Sequence, residues 1–226
     1  MQDLARDRLI FALDVPEPKE ADGWVGRLAP WFGMFKVGLE LFIAGGPDVV
    51  RRVVDRAHAG VFLDLKLHDI PTTVERAARA ASRLGIRMLT VHVGGGRPMV
   101  EAAVQGAGAE VCVLGVTRLT SSPASAGGVV ELARVARESG CGGVVCAGTE
   151  ARAVREAVGP ETVIVCPGVR PAGTERGDQV RIVTPAEALR AGASHLVVGR
   201  PVRDANDPES VARQILEEAT KALAPG

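Results

Sequence analysis

Residues 60–84 read Gly60-Val-Phe62-Leu-Asp64-Leu-Lys66-Leu-His68-Asp69-Ile70-Pro71-Thr-Thr73-Val-Glu-Arg-Ala-Ala-Arg-Ala-Ala-Ser-Arg-Leu84. The segment Gly60–Lys66 is a nearly continuous β-type run, as expected for a parallel strand covered by helices. From Pro71 to Leu84, apolar Val74, Ala77, Ala78, Ala81 and Leu84 recur at helical spacing. One strand followed by one helix is therefore the unit, and the chain repeats it. Strands are predicted at Leu9–Asp14, Met34–Gly38, Gly60–Lys66, Met88–Val93, Val111–Val116, Gly142–Ala147, Thr162–Cys166 and His195–Gly199. Helical patterns also cover Val129–Glu138, Glu150–Val158, Pro185–Ala191 and Pro208–Leu223, with Thr184-Pro185 marking a helix start. Eight units of about 28 residues suit a compact (β/α)8 barrel. A doubly wound sheet is the competitor, but its usual G-x-G-x-x-G turn is replaced after the first strand by Asp14-Val-Pro-Glu-Pro. With no linker-like segment, residues 1–226 are read as one barrel domain.

Side chains alternate along a strand, so Asp64 and Lys66 share one face while Leu63 and Leu65 share the other. The leucines are expected on the helices, which points Asp64 and Lys66 into the barrel. Unpaired buried charges are costly, so partners are required, and Lys36 on the neighbouring strand is the nearest candidate. The bland alternative is an ion pair that merely fills the barrel centre. Two further carboxylates, Asp69 just downstream and Asp14 on the other neighbouring strand, argue for an array that holds a lysine as a proton donor. Such barrels place their active sites at the carboxyl ends of the strands.

Composition narrows the function. The 226 residues carry 27 Lys+Arg and 27 Asp+Glu, a formal charge of zero, without the basic patch of a nucleic-acid or anionic-membrane binder. Charged residues interrupt every apolar stretch before about 18 residues, so no transmembrane helix is expected. The opening Met1-Gln-Asp-Leu-Ala-Arg-Asp-Arg8 is too acidic and polar for a signal peptide, which favours a cytoplasmic location. Only four basic residues are lysines (Lys19, Lys36, Lys66 and Lys221), and two of these four lie on predicted barrel strands. Arg cannot usefully donate a proton at neutral pH, whereas a Lys ammonium can. Cys112, Cys141, Cys146 and Cys166 lack paired C-x-x-C spacing; Cys112, Cys146 and Cys166 sit in β-type apolar runs and read as small buried hydrophobes, and the histidines lack ligand spacing. No metal site is expected.

A second constellation suits phosphate. Strand seven leads into the polar, Gly-bearing loop Arg170-Pro-Ala-Gly-Thr-Glu-Arg-Gly-Asp-Gln179, and strand eight ends in Gly199-Arg200. Barrels of this kind commonly bind phosphate between those two loops. Gly199 permits close backbone approach, Arg200 supplies a bidentate fork, and the long loop is a candidate lid.

The string Asp64-Leu-Lys66-Leu-His-Asp69-Ile-Pro-Thr-Thr73-Val resembles the signature of the orotidine 5′-phosphate decarboxylase family. The likeness continues through Phe-Ala-Leu-Asp14, Phe-Lys36-Val-Gly, Val-Thr-Arg-Leu-Thr120-Ser and Pro-Gly-Val-Arg170-Pro. It ends with Gly-Asp-Gln179-Val-Arg-Ile-Val-Thr-Pro and Val-Val-Gly199-Arg200-Pro. The resemblance implies metal-free and cofactor-free decarboxylation of orotidine 5′-phosphate to uridine 5′-phosphate. Lys66 matches the proton donor, Asp64 and Asp69 the two carboxylates, and Lys36 the lysine that completes the network and contacts the ribose. The family completes its site across a homodimer, so Asp69, Ile70 and Thr73 would serve the partner subunit. Asp14 matches a ribose contact and Thr120 a base contact. Arg170, Gln179, Gly199 and Arg200 match the positions that hold the phosphate and order the lid. Val93 stands where a small residue, often Ala, is expected. The alternatives weighed are a Schiff-base aldolase, a magnesium-dependent relative acting on a keto-sugar phosphate, and a barrel that only binds a nucleotide.

Overall fold

The computed structural model describes residues 1–57, 60–118, 126–171 and 183–224. Eight parallel strands close into a barrel in chain order, with the eighth pairing back onto the first. They are β1 (Leu9–Ala12), β2 (Met34–Gly38), β3 (Gly60–Leu67), β4 (Met88–His92), β5 (Cys112–Val116), β6 (Gly143–Val145), β7 (Val163–Pro167) and β8 (His195–Val198). The helices are α1 (Gln2–Asp7), α2 (Pro18–Leu28), α3 (Leu39–Ala57), α4 (Pro71–Ser82) and α5 (Arg97–Ala107). They continue with α6 (Ala126–Glu138), α7 (Ala151–Val158), α8 (Pro185–Arg190), α9 (Arg200–Arg203) and α10 (Pro208–Leu223). The predicted barrel is thus the observed one, and every expected strand is present with no end moved by more than two residues.

The strands separate two apolar regions by alternation. Ile10, Met34, Phe62, Met88, Leu114, Val165 and Val197 fill the barrel interior. Their outward neighbours, including Phe11, Phe35, Leu63, Leu89 and Leu196, pack with the helices in the larger core. Full burial of each such side chain stabilises by about 1.5–3 kcal/mol relative to exposure. Cys146 and Cys166 belong to this outer core, and all four cysteines are free. Burial pushes the Cys112 thiol up to about 11 and the Cys141 thiol up to about 12, so both are inert at neutral pH.

Helix starts follow local chemistry. The Thr184 hydroxyl accepts from the Glu187 N–H at 3.2 Å, and Glu187 accepts from the Thr184 N–H at 2.8 Å, closing a capping box. Asp207 caps α10 by accepting from the Ser210 N–H at 3.0 Å. Glu150, expected to open a helix, instead ends a 3-10 turn, and its buried carboxylate accepts from the Ala147 N–H. α3 crosses Gly45-Gly46-Pro47 with a kink at Gly46, whose φ of 58° suits glycine. Val93 is buried, and the missing side chain of Gly115 leaves it room, since a Cβ there would lie 2.8 Å from its Cγ2.

Helices α4 and α5 approach so closely that a Cβ on Gly106 would fall on the backbone of Glu75, 3.0 Å from its Cα. Gly106→Ala should therefore lower stability by about 1–3 kcal/mol. Thermal unfolding should show a fall in Tm of about 2–4 °C for each kcal/mol. A Tm within about 1 °C of the parent would contradict so tight a helix contact.

Candidate active site

The carboxyl ends of the first four strands bring alternating charges together. Lys36 projects inward from β2 between outward-facing Phe35 and Val37. Its ammonium donates to Asp14 Oδ1 at 2.9 Å, just beyond β1, and stands 3.6 Å from Asp64 Oδ2 on β3. The same Asp64 oxygen accepts from Lys66 Nζ at 2.8 Å. The order Asp14, Lys36, Asp64, Lys66 thus places each ammonium against at least one carboxylate. Gly38 makes room for the row, because a Cβ there would lie 2.9 Å from Lys36 Nζ and 3.2 Å from Asp14 Oδ1. From α9, the Arg203 guanidinium donates to the Asp14 carbonyl at 2.6 Å and holds that turn in place.

Asp64 and Lys36 are both 9% exposed, and Asp64 stands between the two ammonium groups. Burial pushes its pKa upward. The positive charges of Lys36 and Lys66, the Lys66 hydrogen bond and the Thr90 hydroxyl outweigh that penalty and hold it below the usual carboxylate value. Lys66 reaches the row by an irregular backbone. Between the pairs Leu63↔Leu89 and Leu67↔Val91, β3 takes four steps while β4 takes two. Lys66 sits within that bulge at φ 50°, the only positive φ among the described non-glycine residues. A left-handed conformation of this kind costs about 1–3 kcal/mol unless its surroundings enforce it. The Lys66 N–H is caught by Thr90 Oγ1 at 2.9 Å, and the same hydroxyl donates to Asp64 Oδ1 at 2.9 Å. Further along β4, the His92 ring centre lies 5.4 Å from that of His68. Burial, reinforced by the positive charges of His68 and Lys66, pushes the His92 pKa down, so its imidazole is neutral at pH 7.

Asp14, Lys36, Asp64 and Lys66 line a cavity of about 240 Å³ at the carboxyl end of the barrel, together with Arg118, Arg170, Gly199 and Arg200. A Cβ on Gly199 would lie 3.3 Å from the Ala12 Cβ, so β8 passes close to β1 beside the cavity. A larger concavity of about 1560 Å³ opens at the amino ends of the strands, but the lysine and carboxylate row is not in it. Size alone therefore does not find the site.

Of the residues singled out in the sequence, Asp14, Lys36, Asp64, Lys66, Arg170, Gly199 and Arg200 all line this cavity. Asp69, Ile70 and Thr73 do not; they are exposed beyond β3, where Asp69 Oδ1 accepts from the Ile70 N–H at 2.7 Å. Thr120 and Gln179 lie outside the described residues. Thr90, Gly38 and Arg118 were missed. A buried Thr in Met-Leu-Thr-Val-His carries no signal distinct from β propensity, and Arg118 is one of many arginines. Gly38 was open to inference, as a small residue two positions after an inward-facing lysine.

A closed (β/α)8 barrel with a charged row and several arginines at its carboxyl end defines a barrel enzyme of the small-molecule, anion-binding kind. Residues 7–215 match the model of the Orotidine 5′-phosphate decarboxylase / HUMPS family, and the chain belongs to that family. It is 54% identical over 220 residues to an orotidine 5′-phosphate decarboxylase of Anaeromyxobacter sp. (strain K), covering 92% of this chain and 96% of the relative. It is 50% identical over 234 residues to one from Moorella thermoacetica, covering 95% of this chain and 92% of that protein. The crystal structure of orotidine 5′-phosphate decarboxylase from Lactobacillus acidophilus superposes with a TM-score of 0.81 at 35% identity, covering 93% of this chain and 98% of that one.

The depressed pKa of Asp64 has a stability consequence. Its pairing stabilises the fold at every pH above the ordinary carboxylate value of about 3.9, and that contribution is lost as pH falls through the lower folded value. Asp64→Asn should cost about 1–3 kcal/mol near pH 7, less than a fully buried pair because Lys66 is 30% exposed. In urea unfolding, the gap between the two proteins should hold down to about pH 5 and narrow below about pH 4. A gap that widened on acidification would contradict this ionisation.

Proposed function

We propose that this chain decarboxylates orotidine 5′-phosphate to uridine 5′-phosphate and carbon dioxide in de novo pyrimidine nucleotide synthesis, with Lys66 as the proton donor. The observation that carries the reading is the Lys66 ammonium, held 2.8 Å from Asp64 inside the barrel mouth of a chain belonging to this family. The C6–carboxylate bond breaks, its electron pair stays on C6, and a proton from Lys66 Nζ takes up that pair. No adjacent carbonyl accepts the charge directly. A fixed ammonium therefore gains more from the developing carbanion than from the ground state, as catalysis requires. Lys66 is part-exposed, which leaves it open to reprotonation from solvent.

In this reading Lys36 and Asp14 hold the ribose, and Thr120 contacts the base. Arg170, Gln179, Gly199 and Arg200 hold the phosphate, whose binding energy supports closure over the reacting centre. Residues 1–226 act as one catalytic domain, in the cytoplasm, without metal or organic cofactor. Among the described residues no helix is long and apolar enough to cross a membrane. The chain works as a homodimer in which Asp69, Ile70 and Thr73 complete the partner subunit's site. Two features support that arrangement. All three residues lie outside their own chain's cavity, and Ile70 is 66% exposed at the carboxyl end of β3, with Leu39 at 52% and Ile43 at 79% just after β2.

Purified protein should deplete the absorbance of orotidine 5′-phosphate, with turnover unchanged in excess chelator; no turnover between about pH 6 and 9 would reject the assignment. Lys66→Ala should lower kcat by at least about 10²–10⁴-fold, whereas Arg200→Ala should act chiefly on KM. For the shared site, inactive Asp69→Ala and inactive Lys66→Ala subunits should regain partial activity when mixed. Verified heterodimers that stay inactive would refute it.

A further inference from the structure

We propose that Thr90 is a positioning residue for the reaction: its single hydroxyl ties the backbone of Lys66 to the carboxylate of Asp64 and so sets the geometry of the donor pair. The inference rests on the decarboxylase reading above and assigns a role to a residue that contacts no substrate in that reading.

Three observations carry it. First, the β3 bulge opposite β4 removes the regular ladder partner of the Lys66 N–H, and Thr90 Oγ1 replaces it at 2.9 Å. A buried N–H left without an acceptor is strongly disfavoured, so this hydroxyl helps to enforce the positive φ of Lys66. Second, because Oγ1 accepts from Lys66, its proton is free for Asp64 Oδ1, which it reaches at 2.9 Å. That bond turns the carboxylate so that Oδ2 alone faces Lys66 Nζ at 2.8 Å and Lys36 Nζ at 3.6 Å. Third, Thr90 is fully buried, yet the other buried threonines among the described residues, Thr117 and Thr162, give their hydroxyl protons to backbone carbonyls. Only satisfying a buried hydroxyl would not require a charged partner.

One oxygen atom therefore couples the backbone at the proton donor to the side chain that orients it. Losing the hydroxyl frees both ends at once, and small displacements of a reacting group lower rates steeply. It also removes a donor that favours the charged form of Asp64. The groups facing that carboxylate are Lys36 from β2, Lys66 from β3, and His92 from β4. Asp14 acts through Lys36, and His68 through His92.

The test compares wild type with Thr90→Val, Thr90→Ser and Thr90→Cys in steady-state kinetics, with the Asp64 carboxyl titration followed by ¹³C NMR. Thr90→Val should lower kcat by about 10–100-fold while KM stays within about threefold. Thr90→Ser, which keeps the hydroxyl, should stay within about threefold of wild type in kcat. Thr90→Cys offers only a weak thiol and should be slow like Thr90→Val, which keeps the comparison open if the Val variant does not fold. The Asp64 titration should move to higher pH in the Val or Cys variant. A Val or Cys variant as fast as the Ser variant, or a Ser variant as slow as the others, overturns the positioning role. So does an unshifted Asp64 titration, a readout that needs no turnover. Wild-type protein without turnover rejects the decarboxylase reading instead, and the two failures are thereby separate.

Discussion

A carboxylate that is almost out of reach of water, held between two ammonium groups, is the condition on which the barrel mouth depends. Asp64 remains ionised where it sits because Lys36 and Lys66 stand near it, since burial alone favours its neutral form. That requirement ties β2 to β3. In register, Lys36 stands beside Phe62 and Gly38 beside Asp64. A slip of one residue between β2 and β3 would turn Lys36 out among the helices and bring Phe35 or Val37 into the site. The same register explains Gly38, whose missing Cβ is the space that the Lys36 ammonium and Asp14 occupy. Fold and site are here a single constraint, since the pairing that closes the barrel is also the pairing that neutralises its interior charge.

The fold was legible because its signal is repeated. Eight apolar runs separated by helical patterns leave few architectures, and the alternation along β3 was enough to turn Asp64 inward. Lys66 shows where that reasoning stops. It lines the cavity as the period of two requires, but it does so through a bulge and a left-handed residue. Nothing in Leu-Lys-Leu announces this, because the residues that favour positive φ are Gly, Asn and Asp. The bulge is stabilised from another strand, 24 residues away, by a threonine that looks like any β-branched strand former. Helix boundaries were less legible for a related reason. A kink such as Gly46 in α3 or a 3-10 turn such as that at Glu150 is decided by packing and by one or two hydrogen bonds.

Site membership was legible in proportion to how unusual each residue is in its setting. A lysine and an aspartate inside an apolar strand demand partners, so the row from Asp14 to Lys66 follows from the cost of burying charge. Arg118 lines the same cavity but is one among 23 arginines, and its type carries no such demand. Asp69, Ile70 and Thr73 present the opposite case. Their motif is specific, but within a single barrel they lie exposed and outside the cavity.

The two kinds of basic residue around the cavity differ in placement as well as in chemistry. Guanidinium groups at Arg118, Arg170 and Arg200 stand around the cavity, where a fixed fork of donors recognises an anion and never gives up a proton. Ammonium groups at Lys36 and Lys66 stand on the strands themselves, in contact with carboxylates. The two types are not interchangeable, because an arginine at residue 66 would hold its proton too tightly to give it up, and a lysine at residue 200 would offer a point charge in place of a planar fork. A chain that is neutral overall can therefore carry a strongly polarised interior, with two of its four lysines paired to carboxylates at the mouth of the barrel and arginines standing around them.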